Sequence, residues 1–159
     1  MTFDSSYSII NARLPNQGDH YYKIDLEKGV ITRIQQQDQT RLEDDRHTVI
    51  NFNGDWLSLG GIDLQINGAL GVPFPELVPR QIEKLFTIAQ FLWEQGVDGF
   101  LPTIVTSSPE KVARSLQTIS DYIQQYQTQD FPYARILGVH LEGPFLNPKK
   151  RGAHPEKYL

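Results

Sequence analysis

Apolar and polar residues change their period part-way along the chain. Up to about Trp56 the apolar runs are short and lie between turn-forming residues. Residues 8–14 (SIINARL) make a first strand candidate. Residues 20–26 and 30–34 flank Glu27-Lys28-Gly29, a pattern that predicts a hairpin with glycine at its turn. Residues 35–46 are polar, begin with Gln35-Gln36-Gln37, and predict an exposed connection. Residues 48–52 (TVINF) read as another strand. The expectation over residues 1–58 is an all-β region of small antiparallel strands with no catalytic cluster. His20 and His47 fall in it as surface or structural residues.

At Leu59 the pattern becomes that of alternating strands and helices. Ile62, Leu64 and Ile66 alternate with Asp63, Gln65 and Asn67, the period of a strand. Ile82, Leu85, Phe86, Ala89, Leu92 and Trp93 fall on one helical stripe. That predicts a helix near residues 80–95, with Pro79 suited to its start and Gly96 to its end. Residues 99–105 read as a second strand. Ser107 and Glu110 are spaced as a capping box with Pro109 in the first turn. Val112, Leu116, Ile119 and Ile123 then form the stripe of a helix ending near Tyr126. Residues 128–132 break it, and residues 135–141 read as a third strand.

This order predicts parallel pairing with right-handed crossovers. The C-terminal ends of the strands would gather Asn67, Thr103, Thr106, His140 and Glu142 along one rim, where α/β sheets hold their sites. From His154 the chain opens like a helix and stops at Leu159, leaving the third strand at an open edge. The expectation is a truncated product, a fragment, or one half of a split protein.

Composition narrows the chemistry. With 39% apolar and 21% charged residues the chain suits a soluble globular protein. A net charge of −4 gives no general attraction to nucleic acid or anionic membrane. The absence of cysteine excludes disulfides and thiolate catalysis, so a metal would need histidine or carboxylate ligands. Neither a secretory signal nor a run of about 18 apolar residues is visible, which makes the cytoplasm the default location.

The densest chemistry lies in residues 136–155. His140 and Glu142 are two apart and project from one face of a strand. A buried carboxylate there costs several kcal/mol unless it is paired or holds a metal. The loop that follows carries Asn147, Lys149, Lys150, Arg151 and His154, all able to bond an anionic or hydroxylated ligand. On these residues alone, a satisfied structural pair and a site are equal alternatives. Lys149-Lys150-Arg151 reads first as a solvated basic surface. Ser107 is a helix cap rather than a nucleophile, and Thr103 is a candidate to line the rim.

Three blocks carry a resemblance. They are residues 60–68 (GGIDLQING), residues 97–108 (VDGFLPTIVTSS), and His140-Leu141-Glu142-Gly143-Pro144-Phe145 followed by Gly152-Ala153-His154-Pro155. Together they resemble the N-acetylglucosamine-6-phosphate deacetylase family of the amidohydrolase superfamily. The likeness runs from about Ile50 onward and covers only the first part of the family's length. It implies an α/β fold made of the first strands and helices of a (β/α)8 metal-dependent hydrolase barrel. Residues 59–159 would be its opening βαβαβ portion. Residues 1–58 would be a small β-rich N-terminal domain, part of a small β-sandwich.

The resemblance further implies hydrolysis of N-acetylglucosamine 6-phosphate to glucosamine 6-phosphate and acetate, in amino-sugar metabolism, through water activated by one divalent metal ion (zinc, iron or manganese). Glu142 matches the family's metal-binding glutamate. Its partner histidines and the general-base aspartate fall in later strands, so no catalytic acid or base is expected within this chain. Ala153 and His154 match substrate-binding positions, and Gln65, Asn67 and His140 are expected to support the site. Many amidohydrolases carry His-x-His where Gln65 and Asn67 stand. Neutral amides are weaker ligands than imidazole, which predicts one metal and argues against a two-metal cyclic-amide hydrolase. The expected partners are a small amino-sugar phosphate and a second subunit or complementing chain, with neither nucleic acid nor membrane. The alternative is a non-catalytic fragment or half-enzyme that needs a partner chain.

Overall fold

The computed structural model describes residues 6–37, 48–127 and 132–159. The chain divides into two compact units, Met1–Leu59 and Gly60–Leu159. In the first, β1 (Tyr7–Arg13), β2 (Tyr21–Glu27), β3 (Val30–Gln36) and β4 (Thr48–Asn51) form one sheet in the order β3-β2-β1-β4. The β2–β3 hairpin turns through Lys28 and Gly29, at φ 51° and 76°. Two positive φ values in a two-residue loop match the twist of the paired strands.

Two expectations for this unit need correction. β4 runs parallel to β1 rather than antiparallel. A tight turn forces an antiparallel return, whereas the stretch between Gln36 and Thr48 is long enough for a crossover of about a dozen residues. Gln35 and Gln36 belong to β3, opposite Lys23 and Tyr22, and not to a connection. Gln37 then ties the sheet edge to Asn11. It accepts the Asn11 backbone N–H and donates to Asn11 Oδ1, both at 3.0 Å. His20 is exposed and pairs with Gln36 at 3.2 Å. The rest of the polar connection, and His47, lie outside the described residues.

The second unit contains β5 (Gly61–Ile66), the short ribbon of β6 (Gly68–Ala69) and β7 (Val72–Pro73), α1 (Ile82–Glu94), β8 (Val97–Val105), α2 (Pro109–Tyr126), β9 (Arg135–Ile136) and β10 (His140–Glu142). β8 is central. β5 pairs with it on one side and β9 and β10 on the other, all parallel. Phe100 and Ile104 alternate out of β8 into a core with Phe74, Leu85, Ile88, Ile119 and Tyr122. Phe74 and Phe100 stack with centroids 6.2 Å apart. Among the described residues, no helix is long and apolar enough to cross a membrane.

Both helices form where the periodicity predicts them, with local differences. A 3-10 turn, Pro79–Gln81, precedes α1, and Gly96 follows its end at φ 80°. Trp93 lies at the edge of the stripe and is 44% exposed, while Ile88 is fully buried. α2 is capped by Ser108, which accepts the Lys111 N–H at 3.4 Å; the expected capping box of Ser107 is not formed. The Glu110 carboxyl is held below its ordinary range by its own backbone N–H and by Ser108. The buried face of α2 is Ser115, Thr118, Ile119 and Tyr122, and Leu116 sits at its margin. Hydroxyl-bearing side chains carry part of that face, so an apolar count places the stripe slightly off.

The third strand is not continuous. Ile136 pairs with Phe100 and His140 with Thr103. Four steps along this strand therefore match three along β8, which is a bulge of one residue. Pro102 lies at the gap and has no N–H to give to a ladder. Residues 128–131, most of the expected break after α2, lie outside the described residues. The helix expected to open at His154 is a single 3-10 turn, Glu156–Tyr158.

Candidate functional site

Parallel pairing brings the C-terminal ends of β5, β8 and β10 to one side of the sheet. The register His140↔Thr103 and Glu142↔Val105 puts the His140 and Glu142 side chains on the face opposite the core residue Ile104. Thr103 is buried, and its Oγ1 lies 3.2 Å from His140 Nδ1. One residue before the end of β5, Gln65 Nε2 donates to Glu142 Oε2 at 3.0 Å. Gln65 is itself placed by Asp63, whose Oδ1 accepts the Gln65 backbone N–H at 3.0 Å.

Beyond Glu142 the chain turns through Gly143, at φ 89°, and a cis Gly143–Pro144 peptide. Asn147 caps a 3-10 turn, Pro148–Lys150, by accepting the Lys149 N–H at 3.0 Å. The loop then returns to the sheet. His154 Nε2 comes to 3.4 Å from Glu142 Oε1, and His154 Nδ1 to 2.8 Å from Thr106 Oγ1. Thr106 also reaches Glu142 itself: its backbone N–H meets the Glu142 carbonyl at 3.0 Å and its hydroxyl lies 3.2 Å from the same oxygen.

Of the residues singled out from sequence, Gln65, Glu142 and His154 converge, and Thr103 and His140 form a neighbouring pair. Asn67 is exposed at the end of β5, where its carbonyl accepts the Phe74 N–H at 2.9 Å. Ala153 is exposed beside His154. The basic run divides. Lys149 and Lys150 are exposed, whereas Arg151 is half-buried. Arg151 donates to the His154 carbonyl at 2.7 Å and pairs with Glu156 at 3.6 Å. It braces the loop.

Thr106 lies on the rim where the sequence places it, and the structure adds its contacts with His154 and with the Glu142 carbonyl. It stands three residues after Thr103, so strand alternation would send the two to opposite faces. β8 ends at Val105, and Thr106 turns back to the rim. Gly143 leaves the space for it: a Cβ built there would overlap the Thr106 hydroxyl.

The Glu142 carboxylate is thus partly open, its side chain 36% exposed against 17% for His154. It accepts the Gln65 amide on one oxygen and faces an imidazole with the other. An ionised carboxylate offers about four lone-pair directions, so acceptor capacity remains for a further partner. Among the described residues, no group of three His, Cys, Asp or Glu comes together that could hold a metal ion.

N-acetylglucosamine-6-phosphate deacetylase of Mus musculus is 43% identical over 107 residues, which is 67% of this chain and 25% of that protein. The protein of that name from Haemophilus influenzae is 32% identical over 110 residues, 69% of this chain and 27% of its own length. The matching structure of N-acetylglucosamine-6-phosphate deacetylase from Pasteurella multocida gives a TM-score of 0.70 at 28% identity, covering 96% of this chain and 38% of that one. The chain belongs to the N-acetylglucosamine-6-phosphate deacetylase family. What it matches is that family's N-terminal portion, about a quarter of the length of the curated relatives. No family model matches the chain.

Proposed function

We propose that this chain supplies the opening part of a deacetylase that hydrolyses N-acetylglucosamine 6-phosphate to glucosamine 6-phosphate and acetate in the cytoplasm. Residues 59–159 would begin a (β/α)8 barrel, and residues 1–58 would contribute to a small β-sandwich. The observation that carries the reading is the convergence of Gln65 and His154 on Glu142 at the open ends of parallel strands, in a chain whose curated relatives bear that name.

Glu142 fits a divalent metal in kind, since a hard carboxylate oxygen suits zinc, iron or manganese. It fits as one ligand of a set that residues outside this chain would complete. When bound, such a metal polarises an amide carbonyl and makes water a better nucleophile near neutral pH. The roles that fall to this chain are those of holding and orienting. Gln65 fixes one carboxylate oxygen of Glu142. His154 and the backbone at Ala153 present hydrogen-bonding groups to the amino-sugar phosphate. Asn67 and His140 support the rim.

A second reading has its own observation. Because no group of three His, Cys, Asp or Glu comes together among the described residues, where a metal needs several ligands, the chain would act as half of an assembly completed by a partner chain or another copy. The test is acetate release from N-acetylglucosamine 6-phosphate by the purified chain with added zinc, iron or manganese, alongside its size in solution. Release that depends on metal and is abolished by Glu142→Ala supports the deacetylase. Release confined to an assembled species favours the half-enzyme. Turnover that survives Glu142→Ala, or hydrolysis of a dihydropyrimidine instead, would overturn both.

A further inference from the structure

We propose that Asp63 is a positioning residue: its carboxylate takes the Gln65 backbone N–H and so holds a one-residue bulge in β5 that aims the Gln65 amide at Glu142. Asp63 lies opposite Phe100 and Ile66 opposite Pro102, so three steps along β5 match two along β8. Without the extra residue Gln65 would stand opposite Pro102, on the side of the sheet that Phe100 and Ile104 give to the core. With it, Ile66 takes that side and packs against the core. Gln65 is left on the other side, where its Nε2 donates to Glu142 Oε2 at 3.0 Å.

A bulge takes backbone groups out of the ladder, and a donor left without a partner costs free energy. Here the donor is met from within the strand. Asp63 Oδ1 accepts the Gln65 N–H at 3.0 Å, the bond to residue i+2 by which an aspartate side chain replaces a backbone partner. Pro102, across the bulge, has no N–H with which to draw β5 back into an even ladder. The carboxylate of Asp63 and the missing N–H of Pro102 thus favour the same irregular course.

The consequence for function rests on the deacetylase reading. Gln65 holds one oxygen of Glu142 and Asp63 holds Gln65, so Asp63 sets the orientation of the Glu142 carboxylate at one remove. Its side chain is needed as a hydrogen-bond acceptor and not as a ligand.

The test is proton–nitrogen correlation spectroscopy of the full chain, with Gln65→Leu identifying the Gln65 side-chain amide signal. In the wild type, Glu142→Ala moves that signal. The wild-type Gln65 backbone N–H exchanges at least about tenfold more slowly than in an unfolded chain, the weight of one hydrogen bond to a charged acceptor. In Asp63→Ala that protection is lost, and the response of the side-chain signal to Glu142→Ala falls by about fivefold, the effect of one net hydrogen bond. Asp63→Asn, whose amide oxygen accepts the same N–H, keeps both. A merely structural role would lower the urea midpoint of Asp63→Ala and leave the side-chain response in place. That result would overturn the proposal, as would loss of the response in Asp63→Asn. If Asp63→Ala does not fold, the wild type and Asp63→Asn still decide: an unprotected Gln65 N–H, or a Gln65 signal indifferent to Glu142→Ala, overturns the proposal, and the expected spectra uphold it. None of these readings requires turnover, so failure here is separate from failure of Glu142-dependent acetate release.

Discussion

Gly143 and Thr106 share one space: a Cβ on the glycine would overlap the threonine hydroxyl, and the glycine φ of 89° is itself a conformation that side chains resist. Gly143→Ala is therefore expected to destabilise the chain by about 2 kcal/mol or more. A lowered urea midpoint would show it. An unchanged midpoint would mean that the turn after Glu142 adopts another course.

Gln65 acts on Glu142 through a single amide N–H. Gln65→Leu should leave the urea midpoint nearly unchanged, because the residue is exposed. On the proposed deacetylase reading, in which Glu142 is a ligand carboxylate, it should lower Glu142-dependent acetate release by about 10- to 100-fold. Steady-state assays of the species that turns over would measure it.

The three basic residues of the loop should separate by role. Lys149→Gln and Lys150→Gln remove exposed charges and should shift stability by less than about 0.5 kcal/mol. Arg151→Gln removes the donor to the His154 carbonyl and should cost about 1–3 kcal/mol. It should also speed amide exchange around His154. Equal effects from all three would contradict the bracing role of Arg151.

Tyr122 bears on alkaline stability. Its hydroxyl is buried with no partner among the described residues. Burial pushes its phenol well above the ordinary value, with Tyr133 and Tyr126 adding to the rise. A group raised by folding contributes stability that is present below its unfolded pKa, about 10 for tyrosine, and lost as pH rises past it. Tyr122→Phe should raise stability by about 1 kcal/mol at neutral pH, since an unsatisfied hydroxyl is removed. It should also flatten the loss above about pH 10. Urea midpoints across alkaline pH would report both.

How far the sequence could be read depended on whether a feature is local. The hairpin at Lys28-Gly29, the strand at Ile62–Ile66 by its alternation, and helices α1 and α2 each follow from a local pattern. The contacts among Gln65, Glu142 and His154 needed the resemblance as well, because 77 positions separate the first two. What escaped reading was set by partners. The break after Ile136 depends on Pro102 of a neighbouring strand. The cap fell to Ser108 rather than Ser107 because β8 ends one residue before Thr106 and the chain must still turn. Thr106 was placed on the rim, but its contact with His154 was not legible, because 48 positions separate the two.

The extra residue between Ile136 and His140 sets the phase of everything after it. Ile136 lies on the core side of the sheet; an unbulged strand would return His140 to that side, opposite Ile104, and bring Leu141 to the rim. One inserted residue turns the strand over, so imidazole and carboxylate emerge on the rim and the leucine goes behind. The polarity of the rim is thus decided by counting as much as by composition. Losing any one of Leu137, Gly138 or Val139 would turn the rim inside out while leaving every residue of the His140–Phe145 motif intact.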